Sequence, residues 1–250
     1  MNDTSTLDLL LWVVLPYMVL AVFVLGHVWR FRADRFGWTT RSSQIYESKL
    51  LSIGSPMFHF GIIGIFVGHV VGLGIPKSWT RFFGISDHVY HLMAVTIGLA
   101  AAVACVGGLL ILIYLRRTNT RVFGATTVGD KIMYLLLSLV IAFGVLATLV
   151  HTTFGDYDYR EGVSIWFRQF WTLQPSTELM GQAPIFFQLH VLSALLLFAV
   201  WPFTRLVHVF AAPVGYLTRP YIVYRSKDPR RESERRGWEK VDFCCRRENR

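Results

Sequence analysis

Charge is scarce in this chain, and cysteine is scarcer. Only 16% of its 250 residues are Asp, Glu, Lys or Arg, against 53% hydrophobic, and the mean hydropathy is +0.44. So little charge fits a soluble domain poorly and a multi-pass membrane protein well. Three cysteines rule out a disulfide framework. Cys105 lies in an apolar run and reads as a small apolar residue. Cys244 and Cys245 are adjacent in a tail expected in the reducing cytoplasm, which argues against a structural disulfide. Without further partners they also make no zinc site. No basic stretch precedes the first apolar run, which carries Asp3 and Asp8 instead and exceeds a typical h-region; it is expected to be a span, not a cleaved signal peptide. No internal repeat and no segment with its own soluble core is visible.

What the chain does have is long apolar runs. Crossing about 30 Å of hydrocarbon takes about 20 helical residues. Five stretches qualify, near residues 9–29, 53–75, 91–115, 129–151 and 185–209. Backbone groups in lipid must be satisfied internally, so each is expected to be a helix. The expected fold is an all-α membrane protein, a five-transmembrane-helix bundle. Its division is expected to be 1–212 for the membrane domain and 213–250 for a basic tail.

The net charge of +9 suggests nucleic acid until its placement is read. All but four of the 25 lysines and arginines fall on one side of such a bundle. They sit between the first two spans, between the third and fourth, and from Arg205 onward. The other side holds Lys77, Arg81, Arg160 and Arg168. The positive-inside rule then places the N-terminus outside and the C-terminus in the cytoplasm, with the lipid bilayer and no nucleic acid as partner. In the segment 152–183, Trp166, Phe167, Phe170 and Trp171 suit either a short amphipathic interfacial helix or a loop with anchoring aromatics. The tail reads as a solvated arm near anionic headgroups or as a docking surface.

Four histidines sit inside apolar runs: His59 and His69 in the second, His190 and His208 in the fifth. An ionisable ring in hydrocarbon is costly and persists with a job or a partner. Two rings on each of two helices suit two haems, each iron taking an imidazole from either side. With the second span running outward, His59 is about 9 Å and His69 about 24 Å from its inner start. His190 on the returning helix lies about 22 Å from the inner boundary, so it pairs with His69. His59 and His208 are left as the inner pair. That pair fits less well, because eighteen residues against ten is a difference of about 12 Å of rise on a continuous helix. On such a helix His190 and His208 share one face, and the two haems are not coplanar. His27 and His151, near span ends, read as structural; His88 and His91 stay open. Gly64, Gly68 and Gly72 recur every four residues and bare one side of the second span, for close helix packing or for a flat porphyrin edge, and Gly61 and Gly68 flank the two histidines. Arg205, Arg41 and Arg121 are candidates to meet haem propionates on the inner side.

The run Phe58-His59-Phe60-Gly61-Ile62-Ile63-Gly64-Ile65-Phe66-Val67-Gly68-His69 resembles the second helix of the respiratory nitrate reductase gamma subunit family. Pro202-Phe203-Thr204-Arg205-Leu206-Val207-His208, then Pro213 and Tyr216-Leu217-Thr218-Arg219, resembles its last helix and exit. Arg41-Ser42-Ser43-Gln44 and Ala125-Thr126-Thr127 look like its loops, and the similarity covers about residues 9–225. The resemblance implies five membrane helices in a prokaryotic cell membrane and two b-type haems. It also implies quinol as substrate, and electron delivery to iron–sulfur (beta) and molybdenum (alpha) subunits. It implies His69 and His190 on the distal haem, and His59 and His208 on the proximal one. The family's quinol site beside the distal haem includes a lysine at the start of the third helix. Here that region reads Ser86-Asp87-His88-Val89-Tyr90-His91. Without the lysine, His88, Tyr90 or His91 is the candidate to hydrogen-bond quinol, with Gly68 and His69 as part of the wall. Two other readings stand beside this one: a related dihaem cytochrome b of a sulfur- or disulfide-reducing complex, and a haem-free anchor or transporter.

Overall fold

The computed structural model describes residues 6–38, 49–155, 157–211 and residue 218. Within them the chain is helical and contains no strand. Five helices are long and apolar enough to cross a membrane: Thr6–Ala33, Lys49–Gly74, Asp87–Thr118, Val128–Phe154 and Ile185–Phe203. The protein is a multi-pass membrane protein. The first four spans exceed the expected windows at both ends or at the inner one, and polar caps begin the third and fourth. Ser86 accepts from Val89 N at 3.3 Å to start the third span. Thr127 and Asp130 form a reciprocal capping box for the fourth. Arg30 and Arg32, and Arg116 and Arg117, occupy last turns of the first and third, where cations suit the helix dipole.

The fifth span corrects an expectation. It is α-helical only to Val200, passes through a 3-10 turn at Trp201–Phe203, and breaks at Thr204, whose backbone is extended. Pro202 lacks an N–H and its ring crowds the carbonyl one turn back, so the α-helix stops there. The chain resumes as a separate 3-10 helix, Arg205–Ala211, begun by Thr204 Oγ1 accepting from Leu206 N at 3.2 Å. His208 therefore does not sit five whole turns below His190 on one face of one helix. The break replaces the continuous α-helix on which the mismatch of about 12 Å rests, and His208 stands beside His59.

The second span packs along the third, the fourth along the fifth, and the fifth against the first. Glycines set the first of these contacts. A Cβ at Gly54 would stand 2.6 Å from Ile111 Cγ2, and those at Gly61 and Gly108 would meet the opposing backbone at Cys105 and Phe58. Bare backbone on both helices lets them approach closely. A buried core of Cys105, Leu109, Met133, Leu137, Ile141, Leu197 and Leu206 then joins the third, fourth and fifth spans. The second and fifth spans are not packed backbone to backbone in this way.

At the Lys77 end of the bundle, the segment after the fourth span folds over the end of the second. It forms the amphipathic helix Val163–Trp171. Trp166 and Phe170 are buried while Trp171 is exposed. This helix ties down the second span's terminal carbonyls, which have no partner within their own helix. Ser164 Oγ donates to Gly72 O at 2.9 Å and Arg168 Nη1 to Leu73 O at 3.0 Å. Trp166 Nε1 donates to Trp12 O at 3.0 Å, binding the first span into the same cluster.

Candidate functional site

Two histidine pairs face each other across the second and fifth segments. The rings of His69 and His190 have centroids 5.8 Å apart with planes at 35°. Those of His59 and His208 are 6.2 Å apart at 67°. These are the partners that chain direction and depth suggest. The tiers are separated along the second span by the ten residues between His59 and His69, about 15 Å of rise.

Each of the four rings is held in the same way. Nδ1 of His59 donates to Ser55 O at 2.7 Å, and Nδ1 of His69 to Ile65 O at 2.8 Å. Nδ1 of His190 donates to Val140 O on the fourth span at 2.9 Å, and Nδ1 of His208 to Arg205 O at 2.6 Å. A carbonyl only accepts, so the proton lies on Nδ1 and Nε2 carries the open lone pair. That tautomer is the one a metal-binding imidazole needs, and the bond fixes ring orientation as well. Room for His190 comes from a glycine: a Cβ on Gly144 would stand 2.8 Å from His190 Cε1.

The spacing can be tested against a bound metal. Two metal–nitrogen bonds of about 2 Å, plus about 1 Å from each Nε2 to its ring centre, place the two centroids about 6 Å apart. Both pairs meet that figure. Among the described residues no group of three or more His, Cys, Asp or Glu side chains could hold an ion. A metal here would have two protein ligands and would have to bring the rest of its coordination with it, as the iron of a porphyrin does. The residues fit haem and do not fit a bare ion.

The other expected residues are placed less centrally. Arg205 stands 4.0 Å from Asp130, the same carboxylate that caps the fourth span, and its carbonyl orients His208. It is thus built into the support of the lower ring. Arg121 is exposed on the short helix Thr120–Gly124. Arg41 lies outside the described residues, as do Cys244, Cys245 and, apart from Thr218, the whole 213–250 tail. Gly68 faces open space, with nothing within 4 Å of where a Cβ would stand, whereas Gly61 is fully used in helix packing. His88 and His91 are exposed. Tyr90 is tied to Tyr159 by a hydroxyl contact of 3.5 Å and lies beneath the Arg160 guanidinium. His27, among Phe23, Trp38 and Phe210, and His151, against Tyr157 and Phe187, meet aromatic rings and no second histidine among the described residues.

Sequence reasoning passes over four residues that shape these tiers. Gly144 seats His190. Asp130 holds Arg205. Arg30 reaches from the first span to donate to Pro202 O at 2.9 Å and Thr204 O at 3.3 Å, pinning the break above His208. Arg160 sits buried at the Lys77 end. Two of them carry a signal: Arg160 is one of only four cations on the poorly charged side, and Arg30 falls within the last turn of the first span.

The model of the nitrate reductase gamma subunit family matches residues 8–227. The nitrate reductase gamma chain of Bacillus subtilis (strain 168) is 42% identical over 218 residues, covering 87% of this chain and 98% of its own. The respiratory nitrate reductase 1 gamma chain of Escherichia coli (strain K12) is 33% identical over 223 residues, covering 88% and 98%. The nitrate reductase-like protein NarX of Mycobacterium tuberculosis (strain ATCC 25618 / H37Rv) is 54% identical over 233 residues. That match covers 92% of this chain but only 36% of NarX, so the chain spans about a third of that relative's length.

Proposed function

The chain belongs to the nitrate reductase gamma subunit family, and from that premise we propose that it is a dihaem, quinol-oxidising membrane subunit of a respiratory nitrate reductase. The observation that carries the reading is the pair of facing imidazoles at two levels, 5.8 and 6.2 Å apart, each held by Nδ1 against a backbone carbonyl. His69 and His190 would hold one haem b, and His59 and His208 the other. When bound, the two haems supply one-electron carriage between the faces of the membrane.

The chain's own residues do the remaining work. Two imidazoles on each iron would leave no open coordination position, which would keep oxygen and nitrate from reacting there. The bundle orients the rings: His190 and His208 are half-buried, while His59 and His69 are exposed on the second span. Charge distribution supports an orientation with the His69–His190 level outside and the His59–His208 level toward the cytoplasm. Quinol oxidised at the outer level would lose two electrons and release two protons outside. The electrons would leave on the cytoplasmic side to iron–sulfur and molybdenum subunits. In this reading residues 1–212 form the cytochrome domain and 213–250 a cytoplasmic extension.

The test is pyridine haemochrome quantification with a dithionite-reduced spectrum of the purified chain. Two haems b per chain are expected; a spectrum without b-type bands would leave a haem-free anchor. Co-purification identifies the terminal acceptor. Iron–sulfur and molybdenum partners support nitrate reduction, and subunits of a sulfur or disulfide reductase would replace it.

A further inference from the structure

The loop between the fourth span and the amphipathic helix holds a cation whose setting calls for a partner. Arg160 is 5% exposed. Its guanidinium stacks on Tyr90 with Cζ 3.8 Å from the ring centroid. Nη2 donates to Thr80 Oγ1 at 3.2 Å and to Ile75 O at 3.4 Å. Nε and Nη1 are buried and meet no acceptor among the described residues. Of the loop's described acids, Asp158 and Glu161 both pair with Lys77, and Asp156 lies outside the described residues. Among the described residues no carboxylate stands within ion-pair distance of Arg160.

A second guanidinium is close by. Burial, and after it the repulsion of Arg160, holds Arg168 below its ordinary value. Two arginines thus share one corner of the fold, one of them buried with donors unmade, which is costly without an anion. The corner has a defined relation to the upper histidine pair. Ile75, which accepts from Arg160, lies six residues beyond His69, just past the π-helical turn Val70–Gly74 that ends the second span. Between them is Gly72, whose Cβ position would be 3.2 Å from Tyr159 Oη and 3.6 Å from Tyr90 Oη. A bare helix face, two hydroxyls and a planar guanidinium therefore follow one another outward from His69. Arginine's fork suits a carboxylate, which can accept two parallel N–H bonds.

We infer that Arg160, backed by Tyr90 and Arg168, receives an oxyanion at this level, and that the oxyanion is a carboxylate arm of the macrocycle held by His69 and His190. The inference rests on the haem reading above. The competing source of the same chemistry is the ionised head group of the quinol.

Full-length wild type, Arg160→Gln, Arg160→Lys, Arg168→Gln and Arg81→Gln proteins test it, the last removing an exposed cation paired with Asp87. Each is quantified for haem and titrated for both midpoint potentials around neutral pH, with His69→Ala identifying the upper haem. A cation near a haem favours the reduced, less positive iron. Arg160→Gln is therefore expected to keep two haems but lower the upper potential and make it vary with pH, leaving the lower one unchanged. Arg160→Lys should restore part of the shift, and Arg168→Gln should show a smaller shift in the same direction. Arg81→Gln should show none. Unchanged potentials with a raised KM for quinol would move the oxyanion to the substrate and overturn the assignment to the macrocycle. No change in either would reduce Arg160 to a cap on the second span. Should Arg160→Gln lose haem altogether, the Arg168→Gln potential decides alone. A wild-type chain without haem would sink the parent reading, and is distinguishable from all of these.

Discussion

At the scale of single residues, the histidines are legible in the sequence because ionisable rings in apolar runs are conspicuous. Their supports are not. Four carbonyl acceptors and one glycine have no sequence signature, since any residue supplies a carbonyl and glycines in a membrane helix usually serve packing. Gly144 shows the difference: it lies on the fourth span and makes room for a ring on the fifth. Gly144→Val is expected to push the His190 ring aside at a cost of about 1–3 kcal/mol. The check is selective loss of one b-type signal, with the other unaltered, in reduced-minus-oxidised spectra. His69→Ala and His208→Ala should each leave one haem per chain by pyridine haemochrome. Two haems in either variant would break the assignment of ligands.

At the scale of elements, the five spans are readable from composition, and their ends are extended by caps such as Ser86 and Thr127–Asp130. The fifth is misjudged from sequence because Val207, Val209 and Phe210 continue its apolar character past the point where Pro202 and Thr204 stop its hydrogen bonding. Hydropathy measures preference for lipid, and the ladder of backbone bonds is a separate matter. The break has a guardian in Arg30, which satisfies Pro202 O and Thr204 O. Arg30→Ala should leave those carbonyls short of partners, at about 1–3 kcal/mol. It is expected to weaken the lower haem alone, read as a lost or broadened low-spin signal for His59–His208 with the His69–His190 signal retained. Arg30→Lys, able to reach fewer carbonyls, should fall between. Tight approach of the second and third spans gives another test: Gly108→Leu collides with the Phe58 backbone and should lower the melting temperature of the purified protein.

At the scale of the whole molecule, the proposed membrane topology rests on where charge is missing, and it can be checked directly. Reporter fusions after Phe154 and after Thr118 should report opposite sides, the first outside and the second cytoplasmic. The reverse result would invert the direction of the proposed electron flow. With the expected orientation and the proposed haems, each electron carried inward across the full membrane would store about 2.3 kcal/mol per 100 mV of potential. The basic tail is visible as a charge run, yet a charge run says nothing of what it touches. Packing adds a last consequence. The second and third spans form one closely joined leaf, and the fourth, fifth and first form another, with the third against the fourth as the spine. The second and fifth spans meet where the imidazoles face each other, and at the Lys77 end Leu73 joins Trp12, Phe187 and Val191 in one cluster. Such a book can be inserted and folded page by page, then clasped at its fore-edge. Cells starved of iron should accordingly accumulate an unclasped chain that membrane proteases digest faster than its cofactor-replete twin.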